Sequence, residues 1–292
     1  MNKIILQDCP ICASKDTACI FTPGRAQIEQ FKSLSEKKYS GAMDGWTEVL
    51  SLKVLRCQKC FHVWHNEVPA LPELIQMYSG SSKREGAKKH ELSDERRAYI
   101  RSEMGFLRAS CPARRPLELL DYGSGRGHWI QGALDAGFGK VYAYDPSFER
   151  LSAAPEDARI TKTNDLKDFQ KTFDAINCEQ VFEHVLSPVE ELSALRRLAS
   201  AETVLRISVP LVRGEDPAAL MGTFPFKDEV VHILSPFEHL HGFSRKSFGI
   251  LLERAGLKPV RPGLASGLKY PRQMGRVLLG KSNFNLVRFA NP

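Results

Sequence analysis

The sequence lacks a hydrophobic run that could span a bilayer, because no stretch approaches the roughly 18 apolar residues that a transmembrane helix needs. Its first ten residues also lack the continuous apolar stretch of a secretory signal peptide. These absences argue against a membrane or secreted protein, and we expect a cytoplasmic location. Hydrophobic residues still make up 42% of the 292 residues and charged residues 26%, which excludes a disordered or fibrous chain.

Acidic residues are absent from residues 258–292, which contain seven Lys and Arg. Residues 1–116 carry 19 basic and 13 acidic side chains, so the middle of the chain is net acidic within an overall formal charge of +7. Basic surface at both ends favours an anionic ligand, either a phosphorylated small molecule or nucleic acid. A surface that merely keeps the protein in solution is the alternative interpretation.

Seven Cys residues in a chain expected in the cytoplasm indicate metal ligands or buried thiols, because disulfides are rare there. Four of them form two CxxC pairs, which can surround a tetrahedral ion and predict a structural zinc site with no open position. These residues are Cys9, Cys12, Cys57 and Cys60. A redox-active pair of thiols is the alternative. The remaining three (Cys19, Cys111 and Cys178) have no partner at metal spacing, and we expect buried thiols.

The gap of 44 residues between the two CxxC pairs predicts an insertion, with a helix over 27–38 and a short strand over 48–56. We expect residues 1–80 to form a small zinc-ribbon-like domain with a lid segment. Residues 81–292 then form a second, larger domain.

Strand-like apolar runs alternate with helical segments from Pro116 onward, which predicts an α/β fold with a mostly parallel sheet and helices on both faces. The first run, 117–122, leads into Gly123, Gly125 and Gly127 and then a helix, and a late strand is expected over 257–264. Glycines at the end of a strand permit a tight turn and let backbone N–H groups approach a ligand. The GxGxG spacing differs from the GxGxxG of dinucleotide binders, which makes a nicotinamide cofactor the weaker interpretation. Asp145, at the end of the second run, is placed to accept hydrogen bonds from ribose hydroxyls.

The order of these motifs resembles that of class I methyltransferases that use S-adenosylmethionine. The residues concerned are LELLDYGSGRG at 117–127, Asp145, the pair Asp165 and Leu166, and FDAINCEQVFEHV at 173–185. The resemblance covers about residues 105–290 and implies a seven-stranded Rossmann-like sheet whose last strand is reversed. It implies cofactor-binding roles for Asp121, Gly123, Gly125, Gly127, Asp145, Asp165, Leu166, Cys178 and Glu179.

Methyl transfer from a sulfonium needs an aligned acceptor and, where the acceptor is not already anionic, a base to remove its proton. Histidine suits that task near neutral pH. Candidate acid/base residues are His184 after the fourth strand, Glu238 and His239 after the fifth, and Tyr78 in the lid segment. Purely structural roles for these residues are the alternative interpretation.

A narrower resemblance connects the zinc pairs, the Tyr78 segment and EHLHGFS at 238–244 with the sugar C-methyltransferases of deoxysugar pathways. It implies that Tyr78, His184, Glu238 and His239 surround a nucleotide-linked keto-sugar. The chain departs from that family at Pro236-Phe237, where an aromatic-His pair is expected, and has no counterpart of the family's C-terminal domain.

Several functions remain open at this stage. We expect transfer of a methyl group to a small molecule that is anionic or sugar-like, with no membrane partner. An RNA methyltransferase with a zinc ribbon and a non-catalytic scaffold that binds the cofactor are the alternatives. The carboxylates Glu179 and Glu183 with His184 could instead hold a divalent ion that polarises a hydroxyl acceptor.

Overall fold

The computed structural model describes residues 1–39, 45–77, 92–112, 115–212, 221, 226–227, 230–231, 233–279, 282 and 284–290. Tyr78 and the expected domain boundary at residue 80 lie outside these ranges. No helix within them combines the length and hydropathy that crossing a membrane requires. The chain divides into two compact units, the first made of Met1–Ala87, Phe182–Leu192 and Val209–Ala255, and the second of Lys88–Val181, Ser193–Ser208 and Gly256–Pro292. The first unit thus contains two segments beyond the N-terminal part.

The helices and strands are numbered here in chain order. The helices are α1 (Arg25–Tyr39), α2 (Trp46–Val49), α3 (Asp94–Ser110), α4 (His128–Asp135), α5 (Phe148–Ser152), α6 (Pro188–Ala194), α7 (Arg245–Arg254), α8 (Leu264–Lys269) and α9 (Pro271–Leu278). The strands are β1 (Lys3–Ile5), β2 (Thr17–Phe21), β3 (Val54–Cys57), β4 (Val63–His65), β5 (Glu67–Pro69), β6 (Glu118–Tyr122), β7 (Lys140–Tyr144), β8 (Ile160–Thr163), β9 (Phe173–Glu179), β10 (Ala199–Ser208), β11 (Phe226–Lys227), β12 (Val230–Val231), β13 (His241–Gly242), β14 (Leu257–Pro259) and β15 (Phe284–Phe289).

The second unit is built on a seven-stranded sheet in the order β14-β15-β10-β9-β6-β7-β8. The five strands from β10 to β8 are parallel, and β15 runs antiparallel to both of its neighbours. This arrangement confirms the predicted sheet with a reversed last strand. The strand order reverses at β6, whose neighbours are β9 and β7, and ligands of open α/β sheets bind at such a point, beyond the carboxyl ends of the strands.

The core of the second unit lies where α3 and α4 pack on the sheet. Met104 and Ile130 are fully buried against Leu119 of β6, and each such side chain contributes about 1.5–3 kcal/mol by leaving water. The two helices approach closely at Gly132, where a Cβ atom would lie 2.4 Å from Ile100 Cγ2. Close packing of this kind fixes the start of α4, which follows the glycine loop.

The first unit contains a four-stranded antiparallel sheet in the order β13-β4-β3-β2 and a two-stranded sheet of β1 and β5. Its core gathers Phe31 of α1, Trp46 of α2, and the pair Phe237 and Leu240 from the segment before β13. Helix α1 confirms the helix predicted between the CxxC pairs. Because Phe31 and Phe237 lie 206 residues apart in sequence yet their ring centroids are 5.2 Å apart, late residues complete a core that the first residues begin.

Three local expectations were wrong. The expected strand over 48–56 is helical at its start, where α2 buries Trp46, and extended only from Val54. The expected strand over 257–264 stops at Pro259, and Leu264 begins α8 after Gly263. Cys19 is exposed rather than buried, because it lies on β2, the edge strand of its sheet.

Candidate functional site

The glycine loop between β6 and α4 adopts a conformation that other residues would not tolerate. Gly123 has φ of 78°, and a Cβ atom there would lie 2.5 Å from Val181 Cγ2. Gly127 has φ of 80° and is the N-cap of α4. A Cβ atom at this position would lie 2.6 Å from Ala154 Cβ. The loop therefore needs glycine at these positions, because other residues would strain the backbone and their Cβ atoms would clash with neighbouring side chains. Turns whose backbone approaches a bound ligand have the same requirement.

Asp145 follows β7 and is held in one orientation by the backbone. Its Oδ2 accepts a hydrogen bond from Gly125 N at 2.9 Å, and its Oδ1 accepts one from Ser147 N at 2.9 Å. The residue is 5% exposed. Each carboxylate oxygen can accept a second hydrogen bond, so Asp145 can bind two neighbouring hydroxyls while it anchors the loop.

Asp121, the fourth residue of β6, is buried and has one oxygen that is not hydrogen-bonded. Its Oδ1 accepts a hydrogen bond from Asn177 Nδ2 at 2.8 Å, whereas Oδ2 has no such partner among the described residues. Burial raises the pKa of Asp121 to about 6. A buried carboxylate oxygen without a donor fits a cationic ligand group, such as the ammonium of a bound amino acid moiety.

The carboxylate of Glu179 forms an ion pair that the sequence analysis did not predict. Arg206 of β10 is buried, and its Nη1 lies 2.5 Å from Glu179 Oε2, while its Nη2 lies 3.2 Å from Glu103 Oε2. The same Nη1 donates to Asn177 Oδ1 at 3.1 Å, which links this network to Asp121. An arginine inside the apolar run TVLRISV is the signal that could have predicted it, because a buried guanidinium needs carboxylate partners.

The other predicted cofactor residues take varied positions. Asp165 is exposed, and its side chain accepts a hydrogen bond from Lys167 N at 2.9 Å, which caps the 3₁₀ turn Leu166–Asp168. Leu166 is partly buried in that turn. Cys178 is fully buried in β9. These contacts give Asp165 a local structural role, and its binding role stays a prediction.

The four predicted metal ligands come together in the first unit. The Sγ atoms of Cys9, Cys12, Cys57 and Cys60 all lie within 4.8 Å of one another. Backbone N–H groups also point at sulfur, since Cys12 N lies 3.5 Å from Cys9 Sγ and Cys60 N lies 3.4 Å from Cys57 Sγ. Four sulfurs at this spacing can surround one tetrahedral ion.

The two CxxC turns have the same backbone hydrogen bond and the same backbone conformation. Ala13 N donates to Cys9 O at 2.9 Å, and Phe61 N donates to Cys57 O at 3.0 Å. Ala13 and Phe61 both have a positive φ, of 57° and 60°, which is uncommon for residues other than glycine. Two equivalent turns facing each other explain how pairs so far apart in sequence form one cluster. The hydrogen bond between the two thiols lowers the pKa of Cys9 to about 6 and raises the pKa of Cys60.

A second cluster in the first unit joins Glu183, His184 and His239, whose ligand atoms all lie within 4.8 Å of one another. Glu183 Oε1 lies 3.8 Å from His184 Nε2. The rings of His184 and His239 meet edge to face with centroids 4.7 Å apart. Two predicted acid/base residues are therefore neighbours, and Glu183, considered from sequence only as a metal ligand, lies beside them.

Glu238 contributes its backbone to this cluster. Its carbonyl oxygen lies 2.5 Å from His184 Nδ1, which fixes the ring and leaves Nε2 directed at Glu183. Tyr78, the fourth predicted acid/base residue, lies outside the described residues.

His241 and His62 form a separate buried pair in the first unit. His62 Nε2 lies 3.2 Å from His241 Nδ1, and His241 Nε2 lies 2.9 Å from Val185 O. Burial lowers the pKa of His241 to about 4, so this ring is neutral at pH 7. The pair is structural, because it fastens the segment after Glu183 to β13.

The chain is similar in sequence and in structure to known methyltransferases. Residues 92–261 match a protein-family model described as a methyltransferase domain. The plantazolicin methyltransferase BamL, solved with a triazolic desmethylPZN analog and SAH, is 13% identical, with a TM-score of 0.50 over 91% of this chain and 99% of that one. An S-adenosylmethionine-dependent methyltransferase from Mesorhizobium loti is 20% identical, with a TM-score of 0.42 over 64% of this chain and 96% of that one. No curated protein matches.

The family match covers more than half of the chain, and BamL shares its fold. The chain therefore belongs to the family of methyltransferase domains, and it is an S-adenosylmethionine-dependent methyltransferase.

Proposed function

We propose that this methyltransferase acts on a small molecule, a saccharide or nucleotide-linked sugar, and uses His184 as its base, with His239 and the backbone carbonyl of Glu238 as positioning groups. The observation that carries the proposal is the juxtaposition of two histidines that lie 55 residues apart in sequence. Acceptor hydroxyls are not anionic at neutral pH, so their methylation needs a group that takes a proton. The basic ends of the chain support an acceptor that carries a phosphate.

The cofactor residues have distinct roles in this proposal. Asp145 binds the ribose hydroxyls, and the free oxygen of Asp121 accepts a hydrogen bond from the ammonium of the methionine part. Gly123, Gly125 and Gly127 keep the loop open for the backbone to approach. The cofactor supplies a methyl group on a positively charged sulfur, which makes that carbon electrophilic.

His184 is the better proton acceptor of the two histidines. Its Nδ1–H donates to the carbonyl oxygen of Glu238, so the lone pair is on Nε2. Once Nε2 takes a proton from the acceptor, the buried carboxylate of Glu183, 3.8 Å away, stabilises the imidazolium. His239 then orients the acceptor hydroxyl.

We also propose that the four-cysteine cluster holds a structural zinc ion. Its four sulfurs complete a tetrahedral shell, so no position is left for a substrate. The ion would fasten the two CxxC turns to each other and thereby stabilise the first unit.

Cofactor affinity should depend on pH through Asp121. Its pKa of about 6 means that the carboxyl is protonated in more acidic solution, and a bound ammonium favours the ionised form. Affinity should therefore rise with pH by up to about tenfold per unit below pH 6 and level off above it. Calorimetry with S-adenosylhomocysteine between pH 5 and 7.5 measures this. Asp121→Asn should flatten the profile, and an unchanged profile in that variant would exclude Asp121 as its source.

The acceptor class is tested by supplying S-adenosylmethionine with a labelled methyl group to the protein in an extract of metabolites and RNA. Label in the small-molecule fraction supports the proposal. Label that is sensitive to ribonuclease would replace it with RNA methylation. Label in neither fraction, with the cofactor still bound, would favour the non-catalytic scaffold that binds the cofactor.

The acid/base assignment is tested with His184→Ala and His239→Ala. His184→Ala should lower kcat by about 100-fold or more, because general base catalysis contributes roughly 10²–10⁴ to a rate. His239→Ala should also lower kcat, because the acceptor hydroxyl is then less well oriented. Affinity for S-adenosylhomocysteine should stay within about twofold of the parent protein, because neither side chain contacts the cofactor in the proposal. Full activity in both variants would remove the two histidines from the mechanism.

A further inference from the structure

We propose that Glu183, His184 and His239 form a second metal site, distinct from the four-cysteine cluster, for a divalent transition metal ion. The ligand atoms are the Glu183 carboxylate, His184 Nε2 and an imidazole nitrogen of His239. The two sites differ in chemistry, since the second has nitrogen and oxygen ligands where the first has only sulfur. Two histidines and one carboxylate suit ions from Mn²⁺ to Zn²⁺.

The separations of the three ligand atoms fit one ion. They lie within 4.8 Å of one another, and the pair Glu183 Oε1 and His184 Nε2 is 3.8 Å apart. Ligands that each lie about 2.1 Å from a metal are separated by roughly 3–3.5 Å in tetrahedral or octahedral geometry. Rotation of the side chains can close the difference.

The backbone on both sides of the site is fixed. His241 holds one side, because its N donates to Glu183 O at 3.2 Å and its Nε2 lies 2.9 Å from Val185 O. On the other side, His239 N donates to Ser235 O at 2.9 Å. Phe237, two residues before His239, is buried with φ of 74°, a strained conformation for a residue other than glycine. Ligands on a rigid frame lose little entropy when they bind an ion.

The orientation of His184 also matches that of a metal ligand. Histidines that bind metals usually donate their other ring N–H to a carbonyl or carboxylate, which fixes the tautomer. His184 Nδ1 lies 2.5 Å from Glu238 O, so Nε2 has the lone pair that an ion requires.

Burial and charge favour an ion at this place. Glu183 is 0% exposed, and a carboxylate removed from water is stabilised by positive charge close to it. His184 and His239 are both partly exposed, so an ion can enter from their side. The carboxylate thus forms the floor of the site and the two imidazoles its rim.

Three protein ligands leave coordination positions open, and this consequence rests on the proposed function. A hydroxyl of the acceptor bound at such a position would lose its proton to water more readily, because the ion would stabilise the resulting oxyanion. With the ion bound, its coordination occupies His184 Nε2, so the ion replaces this histidine as the group that activates the acceptor.

The experiment titrates Co²⁺ into the reduced, full-length protein with zinc already bound, and records visible absorption. We expect one further equivalent of Co²⁺ with ligand-field bands and without the intense charge-transfer band of cobalt-bound thiolate. Glu183→Gln and His239→Gln should each weaken this binding at least about tenfold. The control is Glu190→Gln, which removes an exposed carboxylate from the first turn of α6 and should bind Co²⁺ like the parent.

The proposal is overturned if no further Co²⁺ binds, if the added ion shows the thiolate band, or if both variants bind like the parent. His239→Gln matters here because its side chain is partly exposed and its loss disturbs folding less than a change at buried Glu183. A protein that methylates a small molecule through His184 yet binds no Co²⁺ would disprove the metal site alone. One that binds Co²⁺ at these residues but methylates only RNA would disprove the proposed acceptor alone.

Discussion

Replacing Asp145 by Ala should weaken the binding of S-adenosylmethionine by about 30- to 1,000-fold. The carboxylate is proposed to accept hydrogen bonds from two ribose hydroxyls, and removing such charge-assisted bonds costs about 2–4 kcal/mol in total. The same side chain accepts a hydrogen bond from Gly125 N, so the variant also releases the glycine loop that approaches the cofactor. Both effects act in the same direction.

Calorimetry with S-adenosylhomocysteine measures the change, and Asp157→Ala is the matched control. Asp157 is partly exposed and its carboxylate accepts hydrogen bonds from the guanidinium of Arg159, so its loss should leave cofactor affinity within about twofold. Asp145→Asn should fall between the control and Asp145→Ala, because an amide oxygen still accepts. Equal affinities in all four proteins would mean that the ribose binds elsewhere.

Removing the zinc ion proposed for the four-cysteine cluster should unfold the sheet β13-β4-β3-β2. A structural zinc ion contributes about 10–16 kcal/mol of apparent binding free energy, which is comparable to the entire stability of a typical domain. Cys57 ends β3, so one ligand is itself a residue of that sheet. The chelated protein should lose protection of its β3 and β4 amides against hydrogen exchange.

The matched pair of variants for this test is Cys57→Ser and Cys19→Ser. Cys57 is buried in the cluster, whereas Cys19 is an exposed thiol on β2 of the same sheet. The first variant should purify without stoichiometric zinc and with fast exchange, and the second should match the parent in both. A chelated protein that keeps its protected amides would show that the cluster does not stabilise the sheet.

Local patterns in the sequence were sufficient to predict a mostly parallel sheet, and the family resemblance implied its seven strands. Apolar runs that alternate with helical segments determine a parallel sheet, and the GxGxG turn after the first run marks the strand at which its order reverses. The four-cysteine cluster was equally accessible, since the CxxC spacing is itself a property of one turn. The informative residues of the sheet lie within a few positions of each other, and so do the two cysteines of each CxxC pair, although the pairs are 44 residues apart.

The pairs of distant residues could not be predicted in this way. Arg206 and Glu103 are 103 residues apart in sequence, and His62 and His241 are 179 apart, so spacing carries no information about their contact. The contact between His184 and His239 could not be predicted for the same reason, because it depends on how two separate segments pack. For Cys19, burial depended on whether a further strand covers β2, which residue type does not reveal.

The pairing of β13 with β4 has a consequence for synthesis of the chain on the ribosome. His241 and Gly242 pair with Trp64 and Val63, which are buried in the complete sheet. Until residue 242 leaves the exit tunnel, β4 presents an unpaired edge bearing a large aromatic side chain, the kind of surface that recruits other strands. The nascent polypeptide therefore exposes this edge until β13 has been synthesised and can pair with β4.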